Sequence, residues 1–173
     1  QSRPKTIDDY KKSLGNCTSA ARSMGRLVDQ LLELARFDSK DIDKQVELTD
    51  LDLLVKECAR MIRPTAEEKA ITIETDLDLV QAEVNPIRIN QIITNLLSNA
   101  VSYTPEKGTI QVRLTENEES IQLEVEDNGI GISEEDLPNV FNRFYRADKA
   151  RADHEKSHFG LGLAISKEIA VAH

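Results

Sequence analysis

Apolar residues recur at alternating steps of three and four from Ile7 through Tyr10, Leu14, Cys17, Ala21, Met24, Val28, Leu31 and Ala35. Such steps fall on one stripe of an α-helix, in the a/d pattern by which helices pack side by side. Leu27 and Leu34 widen the stripe, as a helical bundle requires. The pattern predicts one helix over 5–38, with Pro4 near its start. Its length favours packing against another helix over packing within one domain. Residues 38–45, DSKDIDKQ, are polar and read as a linker.

Beyond the linker the period shortens and changes. The stretch VEL is followed by a predicted helix from about Leu51 to Lys69, a strand over 71–77 and a short strand over 80–84. Asn85-Pro86 reads as N-cap and first residue of a helix reaching about Tyr103. Its predicted buried stripe is Ile89, Ile92, Ile93, Leu96 and Ala100. Pro105 and Gly108 break it. Strands over 109–115 and 120–126, joined by the polar turn 116–119, form a predicted hairpin. Ser133 with Asp136 reads as a capping box for a short helix. Residues 147–158 are charged and irregular. A last helix begins near Gly160 and presents Leu161, Ala164, Ile165 and Ile169 on one face. The expected class is α+β, a mixed sheet with helices on one face, over 45–173, preceded by a helix and linker over 1–44.

Composition narrows the function. A content of 39% hydrophobic residues in 173 allows a packed core, and 31% charged residues favour solubility. The net charge of −9 argues against a nucleic-acid binder, which would carry a basic patch. Phosphate ligands stay open, because backbone N–H groups bind anions whatever the net charge. Cys17 and Cys58 stand alone and are expected as small buried hydrophobes in a reducing compartment. No apolar run of membrane-spanning length and no signal peptide is visible. The expectation is a soluble cytosolic piece without membrane contact.

Four short stretches carry candidate chemistry. Asn95 and Asn99 lie one turn apart on the predicted helix, with Tyr103 one turn further. Asn is a poor helix former, so the pair reads either as solvent-exposed polar positions or as neutral oxygen ligands for a metal ion. In DNGIGI, Asp127 is acceptor-only when ionised and can accept from an exocyclic amino group. Gly129 and Gly131 leave room for a flat ring against the backbone; a plain DNG turn is the alternative. In FGLGLAISKEI, Gly160 and Gly162 open a helix whose N–H groups could cradle phosphate, or form a tight loop. In FNRFYRADKARADHEK, Phe141 and Phe144 could anchor a mobile segment. Arg143, Arg146, Lys149, Arg151 and Lys156 could supply cations to a triphosphate, or form an ordinary solvated loop.

In this order the four stretches resemble the catalytic and ATP-binding domain of sensor histidine kinases. NQIITNLLSNAVSYTP is similar to the N box, DNGIGI to the G1 box, FNRFYR to the F box and GLGLAI to the G2 box. RLVDQLLELARFD resembles the second helix of the dimerisation and phosphotransfer hairpin. The resemblance implies a Bergerat-type two-layer α/β sandwich that binds ATP and Mg²⁺. By it, Asn99 would ligate the metal, with Asn95 beside it near the phosphates, the two forming the catalytic pair. Tyr103 would border the nucleotide and Asp127 would accept from the adenine amino group. Gly129 and Gly131 would shape the adenine pocket, with Ile132 and Arg146 among the nucleotide-binding positions. Residues 147–159 would form the ATP lid, rooted by Phe141 and Phe144, and Gly160, Leu161 and Gly162 would line the phosphate side.

The resemblance also bears on reaction type. ATPases of this fold carry a water-activating Glu four residues before the metal-binding Asn; here that position is Asn95, which favours phosphoryl transfer over hydrolysis. Ser102 stands where the family commonly has Lys or Arg, and Ser157-His158-Phe159 where it has Gly-Gly and a small hydroxyl residue. The family's phosphoacceptor motif, His-Glu-x-x-Arg/Asn-x-Pro, has no counterpart; His154 and His158 fall in the lid and His173 is the last residue. The expectation is a kinase piece lacking its first hairpin helix and terminal strands, unable to autophosphorylate alone. Implied partners are a second copy, through the helix at 5–38, and a response regulator, with a longer protein anchored in the bacterial membrane. A stand-alone ATPase, a non-catalytic dimerisation module and a serine kinase of the same fold are the competing readings.

Overall fold

The computed structural model describes residues 6–37, 45–147 and 159–173. The chain divides into two compact units, Gln1–Ile42 and Asp43–His173. In the first, α1 spans Ile7–Phe37. It opens on a capping box: Thr6 Oγ1 accepts from the Asp9 N–H, and the Asp9 carboxylate accepts from the Thr6 N–H at 2.7 Å. Those bonds hold the Asp9 carboxyl below its ordinary range. Ile7, Tyr10, Leu14, Met24, Val28 and Leu31 of the predicted stripe are exposed, because a single helix cannot cover its own apolar face. Cys17 on the same helix is exposed as well, which corrects the expectation of two buried cysteines. Among the described residues no helix is long and apolar enough to cross a membrane.

The second unit runs β1 (Glu47–Asp50), α2 (Leu51–Glu68), β2 (Thr72–Leu77), β3 (Gln81–Val84), α3 (Pro86–Tyr103), β4 (Thr109–Glu116), β5 (Ile121–Asp127) and α4 (Gly162–Ala172). The main sheet has the order β2-β4-β5. β2 and β4 are parallel, Thr72 opposite Thr109, and β4 and β5 antiparallel, Ile110 opposite Asp127. The sheet is therefore mixed, as the α+β reading expects. β1 and β3 form a separate antiparallel pair, Glu47 opposite Val84. Ser133 Oγ accepts from the Asp136 N–H at 3.2 Å and donates to the Asp136 carboxylate at 2.6 Å, which is one arm of the expected capping box, and only a 3₁₀ turn, Leu137–Asn139, follows.

Helices cover one face of the main sheet. Ile110 and Val112 of β4 share a core with Val55 and Cys58 of α2 and with Ile93, Leu97, Ala100 and Val101 of α3. Each fully buried Ile, Leu or Val contributes about 1.5–3 kcal/mol. The predicted α3 stripe holds in part: Ile93 and Ala100 are buried as expected, Leu97 and Val101 are buried beside them, and Ile89, Ile92 and Leu96 are half-exposed. The reason is layering. α3 lies between α2 and α4, so only the line facing the sheet is sealed and the flanks are half covered.

Asn85 caps α3 as predicted, its side chain accepting from the Ile87 and Arg88 N–H groups at 3.1 and 3.2 Å. Its own N–H donates to His173 Nε2 at 3.2 Å, while His173 Nδ1 lies 2.9 Å from the Ile169 carbonyl. Nδ1 is thus the protonated nitrogen, and the end of α4 is clipped to the start of α3.

α2 ends in a Schellman motif. Ile71 donates to the Ala66 carbonyl and Ala70 to Glu67, both at 2.9 Å. The left-handed position belongs to Ala70, at φ +52°, where Gly is preferred because a Cβ is strained. Ala70→Gly should therefore raise the unfolding free energy by about 0.5–1 kcal/mol, the relieved strain outweighing the added freedom of the unfolded chain. Thermal melts should show a midpoint about two to four degrees higher; a lower one would show that the Ala70 methyl is worth more than the strain.

The two thiols should differ in reactivity. Burial pushes the Cys58 thiol up from its ordinary value, and the thiolate is the nucleophile. At neutral pH, maleimide should label Cys17 in the folded protein and leave Cys58 unmodified until denaturant is added; equal rates would place Cys58 at the surface.

Candidate nucleotide site

The site is built on the C-terminal half of α3. Asn95 is half-buried, and its amide donates to the Gly162 carbonyl at 3.1 Å and to Ser166 Oγ at 3.2 Å. It thereby holds the first turn of α4 against α3. No side chain caps the N-terminus of α4, so its orphan N–H groups keep their capacity for an anion. Leu161 is fully buried and can serve a ligand only through its backbone. Asn99, one turn beyond Asn95, is half-buried, and its side chain makes no hydrogen bond among the described residues.

The loop after β5 hangs from the last residue of α3. The Ile130 N–H donates to the Tyr103 carbonyl at 3.2 Å, and Asp127 Oδ1 accepts from the Gly129 N–H at 2.9 Å. Asn128 fixes the loop's other side, its Oδ1 accepting from the Thr109 N–H at 2.8 Å. Asp127 itself is exposed, with Oδ2 turned to no partner among the described residues. A Cβ on Gly129 would lie 2.5 Å from the Tyr103 carbonyl oxygen and 2.5 Å from Asp127 Oδ1. Gly129 is needed for the loop's approach to α3, a different reason from the room for a ring that its sequence suggests. Gly131, at φ +67°, faces open space, and Ile132 is exposed beside it.

The F-box region converges on the start of the G2 stretch. Phe144 donates its N–H to the Gly160 carbonyl at 2.9 Å. Both are left-handed, Phe144 at φ +66° and Gly160 at +71°. For Phe this costs about 1–2 kcal/mol. A Cβ on Gly160 would run into the backbone of Phe144 and Tyr145. Tyr145 donates its hydroxyl to Asp136 at 2.6 Å, and Lys167 stands 5.9 Å from the Phe141 ring centroid. Phe144 is exposed, Arg143 is exposed and Arg146 half-buried. The predicted lid cations Lys149, Arg151 and Lys156 lie outside the described residues.

Residues 84–173 match the family model described as histidine kinase-, DNA gyrase B-, and HSP90-like ATPase. The chain belongs to this family. Among curated relatives, the sensor histidine kinase WalK of Bacillus subtilis is 40% identical over 87% of the chain, which spans 25% of that protein. The sensor protein CiaH of Streptococcus pneumoniae is 36% identical over 96% of the chain and 37% of its own length. The chain thus spans about a quarter to a third of these relatives. Among solved structures, the mycobacterial sensor histidine kinase MprB matches at 25% identity with a TM-score of 0.65, covering 75% of this chain and 80% of that one. Full-length ShkA, solved with AMPPNP, matches at 23% identity with a TM-score of 0.81, over 98% of this chain and 35% of that one; this likeness concerns the fold. The mixed sheet with helices on one face is the fold of histidine kinase catalytic domains in this family.

Three contacts at the site carry no sequence signature: Asn128 to Thr109, Ser166 to Asn95, and Lys69, whose ammonium reaches the end of α3.

Proposed function

We propose that residues 45–173 are the ATP-binding catalytic region of a sensor histidine kinase and that residues 1–44 contribute the second helix of a dimerisation and phosphotransfer hairpin. The observation that carries the kinase reading is the clip made by Asn95. A hydrolase of this fold needs a base at that position. Asn95 is not basic, and its amide is committed to the Gly162 carbonyl and Ser166. With no base to activate water, catalysis rests on positioning and charge neutralisation.

In this reading Asp127 Oδ2 accepts from the adenine amino group. Tyr103, Gly131 and Ile132 flank the base. The backbone of 160–162 and the first turn of α4 face the phosphates, and Arg146 sits at the root of the lid. Asn99 fits an Mg²⁺ ligand, being half-buried with its amide oxygen uncommitted. Mg²⁺ is usually held by few protein oxygens together with phosphates and water, and when bound it would supply charge neutralisation on the phosphates. The γ-phosphoryl passes to a histidine nitrogen, with ADP leaving, and then to an aspartate of a response regulator. The exposed stripe of α1 would pair with a second copy in a homodimer, and the region would work on the cytoplasmic side of a membrane-anchored protein.

Calorimetric titration with the non-hydrolysable analogue AMP-PNP should show binding that strengthens with Mg²⁺. A histidine-bearing hairpin supplied in trans should then accept label from γ-labelled ATP. Steady phosphate release without an acceptor would favour the hydrolase instead, and absence of AMP-PNP binding by the folded chain the non-catalytic module.

A further inference from the structure

The last turn of α3 leaves carbonyls with no partner inside the helix. Lys69, at the end of α2, takes most of them. Its Nζ donates to the carbonyls of Val101 at 2.6 Å, Ser102 at 3.2 Å and Thr104 at 2.9 Å. An ammonium has three donors, and a cation is favoured at the negative end of a helix. The carbonyl between these, Tyr103, is the one that holds the Asp127 loop through Ile130. The Lys69 carbonyl meanwhile accepts from the Lys107 N–H at 2.9 Å, Thr72 donates to Gly108 at 3.0 Å, and Asn128 donates to Thr109 at 3.2 Å. The end of α2, the end of α3, the start of β4 and the base-side loop thus form one connected knot with Lys69 at its charged centre. Lys107 and Ala70, which flank it, both occupy left-handed backbone at φ +62° and +52°; such conformations persist where surrounding bonds over-determine them.

We propose that Lys69 is a positioning residue for nucleotide recognition: by gathering the α3 carbonyls on either side of Tyr103, it sets where the Tyr103 carbonyl suspends the Asp127 loop. The proposal rests on the nucleotide-site reading above and extends it to a residue that touches no nucleotide.

The test compares wild type, Lys69→Met and Lys69→Arg by amide hydrogen exchange and by AMP-PNP titration with Mg²⁺. Exchange of the Ile130 N–H reports suspension of the loop; that of Val112, in the central strand, reports the core. Lys69→Met should raise Ile130 exchange about tenfold beyond any rise at Val112 and weaken AMP-PNP about tenfold, the size of one lost charge-assisted bond. Lys69→Arg should restore both to within about threefold. Equal rises at Ile130 and Val112 would reduce Lys69 to a general stabiliser and overturn the proposal, as would unchanged AMP-PNP affinity in a folded Lys69→Met. If Lys69→Met does not fold, Lys69→Gln carries the same two measurements with two donors kept and the charge removed. Failure of wild type to bind AMP-PNP would sink the nucleotide reading by itself, and the exchange comparison would still decide whether Lys69 holds the loop.

Discussion

Asp127→Asn should weaken AMP-PNP binding by about 10- to 100-fold and leave the unfolding midpoint nearly unchanged. The carboxylate has two jobs, and an amide can do only one. Asp127 Oδ1 already accepts from the Gly129 N–H at 2.9 Å, which leaves Oδ2 for an incoming amino group. An asparagine that keeps its oxygen toward Gly129 turns its own NH₂ against the adenine amino group, donor to donor. One that flips frees an oxygen for adenine but sets NH₂ against the Gly129 N–H and loosens the loop. Either way a donor loses its acceptor in the complex, a loss of about 1–3 kcal/mol, or roughly tenfold to a hundredfold in affinity. Stability should hardly move, since Asp127 is exposed in the free protein and water can replace the missing partner. Calorimetry gives the affinity and a melt without nucleotide gives the stability. Unchanged affinity would remove Asp127 from the base site, and a melt lowered in step with affinity would make it a structural turn residue.

What the sequence made legible follows from the range over which each signal acts. Caps and turns are local, so Asn85-Pro86 and the hairpin ends fall where their residues predict, and Ser133 with Asp136 marks a turn at the expected place. The α3 stripe is right at Ile93 and Ala100 but misses Leu97 and Val101, because burial depends on what covers each flank, and the presence of α2 on one side and α4 on the other is not written in the periodicity of α3. The candidate site residues stand in the sequence as an ordered set of short stretches, and the structure adds contacts that the stretches do not contain. Asn95 reads as a ligand-side residue, yet its amide grips Gly162 and Ser166. Leu161 sits between two glycines of the candidate phosphate stretch, yet its side chain belongs to the core. Lys69 was invisible because its acceptors lie more than thirty positions away, beyond any helical or strand period. The thiol at Cys58 is buried for the same reason: its helix packs on the sheet of its own unit, a contact that its local sequence does not announce.

Gly129→Ala should cost more than Asp127→Asn, and should cost it twice, in stability and in binding. The added Cβ would stand 2.5 Å from the Tyr103 carbonyl oxygen and 3.0 Å from the Tyr103 carbonyl carbon. These are backbone atoms in the last turn of a helix whose neighbouring carbonyls are held by Lys69, so they cannot swing aside as a side chain would. The loop must move instead, and that movement pulls the Ile130 N–H from Tyr103 and displaces Asp127 Oδ1, also 2.5 Å from the new methyl. Overpacking of this kind costs about 1–3 kcal/mol, and the lost Ile130 bond adds about 1 kcal/mol. The melt should fall by about five degrees or more, and AMP-PNP affinity by at least the loss seen for Asp127→Asn, since the acceptor is moved rather than weakened. Gly131→Ala separates the steric cause from the conformational one. A Cβ at Gly131 meets nothing within 4 Å, so its penalty is only the left-handed backbone, about 1 kcal/mol, with the Tyr103 contact intact. If Gly129→Ala proves no worse than Gly131→Ala, the loop is free to retreat from α3, and the close approach of Gly129 to Tyr103 does not control the site.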